Sequence, residues 1–177
     1  MAFIGVDRLI RQTTLQADLF KDWIVAGKWH NFGPDEHFDW WAFPLDRDSN
    51  AHGDVFNVTP AFDELSQNQV FLTAVLENAE HLAFGWGWDL RIGERIANRA
   101  HRYGIRISKC GESLGLWGMP AAHEAFRVFT EHLHRDGFVS DRTLATVTGS
   151  KPTTLNPAGV DLYVSRPRSN DTNNSDM

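Results

Sequence analysis

The sequence has little of what marks a secreted or membrane protein. Its 177 residues include one cysteine, Cys110, so no disulfide can form within the chain, and this usage fits a reducing compartment. No apolar run approaches the roughly 18 residues that a membrane-spanning helix needs. The N-terminus, MAFIGVDRLIRQ, lacks the apolar segment and cleavage site of a secretory signal. These absences predict a cytoplasmic protein that makes no contact with a membrane.

Aromatic rings, in contrast, are abundant. The chain has 7 tryptophans and 12 phenylalanines, while its 42% hydrophobic and 23% charged residues are ordinary for a globular protein. Because each ring buries a large area, we expect a core built on aromatic side chains, with some tryptophans at a pocket or a partner surface. The length suits one compact domain with a core of its own.

Apolar spacing, with glycine and proline as boundaries, predicts a mainly α fold. Residues 7–27 place apolar side chains at helical intervals and end at a glycine. Ser66 and Gln69 have the spacing of a capping box for a second helix over about 67–84. Pro120 stands at the first position of a further stretch whose apolar residues share one helical face.

Arginines recur at helical spacing in residues 89–104. This stretch reads as a helix that Asp89 caps and Gly104 stops. Its arginines then fall on one face: Arg91, Arg95, Arg99 and Arg102. Guanidinium groups bind phosphate in a bidentate manner, so this face suits an anionic ligand or partner. The alternative is an ion-pair face within the fold, because residues 1–89 carry 5 Lys or Arg against 14 Asp or Glu.

These patterns predict a compact single domain of four to five helices, with at most a short strand pair, over residues 1–149. After Gly149 the chain turns to a bias in Ser, Thr, Asn and Pro that cannot bury enough apolar surface to fold. Residues 150–177 are therefore expected to form a flexible C-terminal tail.

The densest group of chemically useful side chains is HNFGPDEHFDWWAFPLD, residues 30–46. It offers His37 and Asp39 as an acid–base pair. If residues 37–41 are extended, these two side chains share one face, and if the segment is helical they diverge. Imidazole and carboxylate groups also suit zinc or iron, but no regular metal-binding spacing is present. We therefore expect neither a metal ion nor another cofactor.

A small-molecule site is the function that this composition favours, because aromatic walls with a few polar groups define such sites. The tryptophans closest to polar clusters are Trp40, Trp41, Trp86 and Trp88. We predict that these rings line a pocket for a small polar or phosphorylated ligand. His37 and Asp39 are the catalytic candidates if the protein is an enzyme. Arg91 and Arg95 are the candidates for holding an anion.

The alternative function is that of an interaction module. It would use the arginine face, or exposed tryptophans of the kind found at interaction hot spots, to bind an acidic partner or nucleic acid. Tight nucleic-acid binding is not expected, because the chain carries a net charge of −6 and its acidic half would repel the polymer. The patterns do not indicate an oligomeric state.

Four short stretches occur in an order that is found in a known family. They are AGKWH at 26–30, WWAFP at 40–44, FGWGWD at 84–89 and DRTLATVTG at 141–149. In this order the chain resembles the domain-of-unknown-function 1810 family, a small bacterial family, over roughly residues 3–149. The insertion NFGPDEHFD departs from the family's tighter spacing. The resemblance implies a compact helical domain and no functional residue, because the family has no established activity.

Overall fold

The computed structural model of the protein describes residues 2–150. These residues form seven helices: α1 (Val6–Val25), α2 (Asp39–Ala42), α3 (Phe62–Ser66), α4 (Gln69–Gly85), α5 (Gly104–Leu116), α6 (Pro120–Arg135) and α7 (Asp141–Gly149). The other regular elements are two 3-10 turns and one antiparallel strand pair: Trp29–Phe32, Thr59–Ala61, β1 (Trp88–Asp89) and β2 (Glu94–Arg95). The prediction of a mainly α fold with a short strand pair is confirmed, but the helices outnumber the predicted four to five.

Short helices account for part of this difference. Helices α2 and α3 have 4 and 5 residues, too few for apolar periodicity to reveal them. Helix α7 is longer, and it starts where the hydroxyl of Ser140 accepts a hydrogen bond from the backbone N–H of Thr143. Helix α5 begins at Gly104, the residue that was predicted to end a helix.

Helix α4 lies at the centre of the fold because apolar residues surround most of its circumference. Ten of its 17 residues are buried, and α1 packs along it. The N-terminal cap is Asn68, whose side-chain oxygen accepts the N–H of Phe71 at 3.0 Å. The predicted cap Ser66 instead donates to the carbonyl of Asp63. The helix ends at Gly85, as predicted.

The predicted helix over residues 89–104 is wrong, because these residues begin as a β-hairpin. Strand β1 pairs with β2 through Trp88 opposite Arg95. The carboxylate of Asp89 accepts the backbone N–H of Arg91 at 2.8 Å, so it caps a turn and not a helix. Gly93 completes the turn at φ 69°, a conformation that favours glycine. The arginines of this stretch therefore do not form a helix face.

Aromatic rings make up much of the core, as the composition indicated. The ring of Phe20 in α1 packs against those of Phe32 and Phe38, with centroids 5.1 and 4.7 Å away. Trp23 closes the same cluster with its ring edge on Phe32. Because these rings come from α1 and from the segment before α2, their contacts attach that segment to the helical core.

Helices α5, α6 and α7 pack together in the C-terminal part of the described chain. No helix within residues 2–150 has the combination of length and apolar composition that crossing a bilayer requires. The flexible tail predicted for residues 150–177 lies, except for Ser150, outside the described residues.

Candidate functional site

A cleft of about 780 Å³ opens between α5, α7 and the segment that begins in α2 and continues to residue 56. Its volume lies within the range of about 300–1,000 Å³ that is typical of small-molecule pockets. The apolar part of its lining consists of Trp40, Phe43, Leu45, Phe56 and Ile105. The polar side chains that carry the argument below are Arg47, Ser108, Lys109, Glu112, Arg142 and Thr146. The cleft therefore has the mixed lining of a small-ligand site.

Lys109 and Asp39 form a buried ion pair at this cleft. Their relative exposures are 6% and 5%, and Lys109 Nζ lies 2.5 Å from Asp39 Oδ2. The ammonium group also lies over the ring of Trp40, 2.7 Å from its centroid. Burial lowers the pKa of Lys109, and the hydrogen bond and charge of Asp39 oppose this shift. The site thus holds a desolvated amine beside a carboxylate.

The position of Asp39 is set by hydrogen bonds that hold both sides of α2. The carbonyl of Trp41 accepts the hydroxyl of Thr13 in α1 at 2.9 Å. The carbonyl of Pro44, just after α2, accepts the hydroxyl of Ser113 in α5 at 3.3 Å. Because both partners are buried, the short helix is fixed against α1 and α5, and Asp39 is presented to Lys109.

A second ion pair joins the loop of the cleft to α5. The guanidinium of Arg47 donates to both carboxylate oxygens of Glu112, at 2.7 and 2.5 Å. The same loop is closed by Asn57, whose amide donates to Asp48 at 2.8 Å. Both acidic residues of the cleft lining are therefore engaged with donors.

Among the described residues, Arg142 is the remaining cation of the lining. It is exposed, and it has no carboxylate partner within residues 2–150. Its charge is thus available to a ligand in the cleft. Among the described residues, no three His, Cys, Asp or Glu side chains are grouped so that they could hold a metal ion.

His37 and Asp39, the predicted acid–base pair, lie in different environments. His37 is exposed, whereas Asp39 is buried and bonded to Lys109. Phe38 between them has helical angles, φ −102° and ψ −15°, and α2 begins at Asp39. The extended arrangement that would place the two side chains on one face is therefore not formed.

The four predicted pocket tryptophans do not converge on one site. Trp40 lines the cleft, and Trp41 is half-buried with its indole N–H bonded to Gln16. Trp86 donates to the carbonyl of Phe32 at 3.2 Å inside the core. Trp88 packs on Phe129 and His132, with ring centroids 5.7 and 4.5 Å away. Two of the rings thus belong to the core on the side of α6.

Arg91 and Arg95, the predicted anion-binding residues, form ion pairs within the fold. Arg91 pairs with Glu80 of α4 at 2.6 Å, and Arg95 pairs with Asp136 after α6. Arg99 stacks over the ring of Trp29. Arg91 and Arg95 therefore form the ion pairs within the fold that were the alternative considered for this stretch, whereas Arg99 contacts an aromatic ring.

Sequence reasoning did not assign Lys109 and Arg106 to a site, because it did not predict α5. Arg106 is fully buried, and its guanidinium donates to the backbone carbonyls of Phe32, Gly33 and Glu36. Helical spacing would have placed Arg106 and Lys109, three residues apart, on one face. Cys110 is fully buried, and burial raises the pKa of its thiol well above the usual value, which disfavours a thiolate nucleophile.

The fold and the cleft define a class: a mainly helical protein with a buried lysine–carboxylate pair in a cleft of small-molecule size. No protein-family model, curated protein or solved structure matches the chain. The resemblance to the domain-of-unknown-function 1810 family stays a prediction. The function is therefore argued from the residues of the cleft.

Proposed function

We propose that the protein binds a small organic anion, carboxylated or phosphorylated, in the cleft beside Trp40. The observation that carries the proposal is Arg142 on the cleft lining, which has no carboxylate partner within residues 2–150, together with the buried Lys109 on the same lining. A cation without a counter-charge attracts an anionic ligand, and the attraction is stronger where a cleft excludes water and lowers the local dielectric. The proposal concerns binding of the anion, and a reaction of the bound anion is compatible with it.

The charges of the lining favour an anion over a cation. The described lining carries three cations, Arg47, Lys109 and Arg142, against two carboxylates, Asp48 and Glu112. Glu112 is neutralised by Arg47, Lys109 is bonded to Asp39, and Asp48 accepts a hydrogen bond from the amide of Asn57. Arg142 remains, and hydroxyl groups of Ser108 and Thr146 lie on the same lining. A bound carboxylate or phosphate would receive charge-assisted hydrogen bonds from such donors.

The apolar lining favours a ligand that also carries a ring or a short hydrocarbon part. Trp40 is partly exposed at the cleft, with Phe43 and Phe56 on the same lining. The edge of the His52 ring meets Trp40 at 5.3 Å between centroids, and this contact holds the tryptophan in place. An aromatic anion combines the two features that the cleft recognises.

Calorimetric titration with phenyl phosphate tests the proposal. We expect saturable binding, and we expect Arg142→Gln to weaken it about tenfold or more, because a charge-assisted hydrogen bond contributes about 1.5–3 kcal/mol. Arg11→Gln is the matched control, because Arg11 is an exposed arginine of α1 outside the cleft. The proposal fails if phenyl phosphate does not bind, or if the two variants weaken binding equally.

A further inference from the structure

Lys109 differs in its surroundings from the other lysines that the structure describes. Lys21 and Lys28 are exposed, so their amines are solvated by water. Lys109 is 6% exposed, yet it belongs to the lining of the cleft. It is therefore the one lysine within residues 2–150 that combines a desolvated amine with access to a ligand-sized space.

We propose that Lys109 is a nucleophile that captures an aldehyde or ketone bearing an anionic group as an imine, with Asp39 carrying the proton. This inference rests on the proposed anion-binding function of the cleft and names its ligand class. Lysines in desolvated sites form such imines with carbonyl compounds because the amine, and not the ammonium ion, is the nucleophile.

Two groups beside Lys109 support this chemistry: a carboxylate that can accept a proton and an aromatic ring that shields the amine from water. Asp39 Oδ2 lies 2.5 Å from Nζ, which is hydrogen-bond distance for direct proton transfer. The ring of Trp40 covers another side of the amine and excludes water there. In a low-dielectric site the ion pair has less advantage over the neutral amine and acid than it has in water. Burial also lowers the pKa of Lys109, which likewise favours the neutral amine.

The proposed step balances without an oxidant or a reductant. Asp39 accepts a proton from the ammonium group, and the free amine attacks the carbonyl carbon to form a C–N bond. The carbonyl oxygen takes up protons and leaves as water, one of these protons being returned by Asp39 and the other coming from the nitrogen. The products are the protonated imine on Lys109, which keeps the third ammonium proton, the regenerated carboxylate of Asp39 and one molecule of water.

The anionic group of the ligand gives the cleft its selectivity among carbonyl compounds. Arg142 on α7 and Lys109 on α5 are on the same lining, so a ligand that spans them presents its carbonyl to Lys109 and its anion to Arg142. A neutral aldehyde of similar size lacks the second interaction. Selectivity between the two therefore separates a site on Lys109 from ordinary amine reactivity.

Reductive trapping on the full chain tests the imine. The protein is incubated with glyoxylate or with acetaldehyde in the presence of cyanoborohydride, and alkylated lysines are located by peptide mass spectrometry. We expect glyoxylate to label Lys109 about tenfold or more faster than Lys21 and Lys28, because a charge-assisted hydrogen bond from Arg142 to the carboxylate of glyoxylate contributes about 1.5–3 kcal/mol and has no counterpart at the exposed lysines. Acetaldehyde is expected to label Lys109 more slowly than glyoxylate does, and phenyl phosphate should protect it.

Two variants separate the chemical role from the structural one. Lys109→Arg keeps a cation at the cleft and should lose the adduct, and urea unfolding of the variant checks that the fold is kept. Asp39→Asn removes the group that opposes the lowered pKa of Lys109, so a larger fraction of the amine is neutral. We nevertheless expect slower labelling of Lys109, because the proton carrier is lost, and unchanged labelling of Lys21. The imine proposal is overturned if the unaltered protein is labelled at Lys21 and Lys28 but not at Lys109. Binding of phenyl phosphate would still support the proposed function in that case. Equal labelling of Lys109 by both aldehydes, without protection, would overturn the anionic ligand class.

Discussion

Two buried cations on α5 are stabilised in different ways. Lys109 has a carboxylate partner, whereas Arg106 has its hydrogen bonds to backbone carbonyls of the segment before α2. The guanidinium of Arg106 also lies 4.0 Å from the centroid of the Phe38 ring. Burial lowers the pKa of Arg106, and the charge of Asp39 opposes this shift. Arg106 thus fixes the chain that leads into Asp39, and the site depends on it.

At the residue scale we predict that Arg106→Lys destabilises the protein by about 3 kcal/mol. A lysine has no planar fork, so it cannot reach all three carbonyls, and each charge-assisted hydrogen bond contributes about 1.5–3 kcal/mol. Urea unfolding followed by circular dichroism measures the change. The control Arg11→Lys, at an exposed position, should stay within about 0.5 kcal/mol. Equal stability of the two variants would show that the hydrogen bonds of Arg106 to the three carbonyls do not stabilise the fold.

At the scale of elements, the contact between α5 and α7 determines the shape of one side of the cleft. Gly111 of α5 is buried where Val147 of α7 approaches. A Cβ added at Gly111 would lie 2.8 Å from Val147 Cγ2, closer than side chains pack. The glycine therefore permits the two helices to approach, and α7 can place Arg142 and Thr146 on the cleft.

We expect Gly111→Ala to destabilise the protein by about 1–2 kcal/mol, although alanine is the better helix former by about 1 kcal/mol. The net change in the free energy of unfolding is a loss because the overpacking against Val147 costs more than the better helix propensity contributes. Thermal unfolding measures the effect, and Val147→Ala in the same chain should recover part of it. Gly149→Ala is the control, because nothing lies within 4 Å of a Cβ there. A Gly111→Ala variant as stable as the original would mean that the helices separate without cost.

At the scale of the whole molecule, opposite charges join the two parts of the chain. Residues 90–135 carry 8 Lys or Arg against 4 Asp or Glu, the reverse of the acidic residues 1–89. Asp39–Lys109 and Glu80–Arg91 pair an acid of the first segment with a base of the second, and Arg47–Glu112 links the segments in the opposite sense. Two of these pairs border the cleft. Attraction between segments that are far apart in sequence therefore contributes to the site as well as to the fold.

We predict that stability falls as the pH is lowered through the region below 6.5. His123 is 6% exposed, and burial lowers its pKa from the ordinary value of 6.5, while a hydrogen bond to the backbone of Val147 opposes the shift. The unfolded chain then binds the proton more readily than the folded chain does, so protonation favours unfolding. Urea unfolding at about pH 7.5 and about pH 5.5 should show the loss.

The variant His123→Gln tests whether His123 causes the loss of stability at low pH. It should make the dependence on pH shallower, and the remaining slope includes His101, whose pKa is also lowered by burial. Identical slopes in the variant and the original chain would show that His123 contributes nothing to the dependence.

Local signals in the sequence were enough to predict several helices of this protein and the composition of its core. Apolar spacing predicted α1 and α4, glycine marked the end of α4, and Pro120 marked the start of α6. The stock of aromatic residues predicted the composition of the core. These features depend on neighbours within a few positions along the chain, because helix caps and helix faces are local.

The hairpin and the cleft required contacts that sequence spacing does not contain. Arginines four residues apart imitate a helix face, but Asp89 and Gly93 favour a turn, and the partners Glu80 and Asp136 hold the arginines apart. The predicted partner of Asp39 was His37, two positions away, whereas the actual partner Lys109 is 70 positions away. Only tertiary packing brings these two groups together, because a buried charge must find a counter-charge wherever the fold places one.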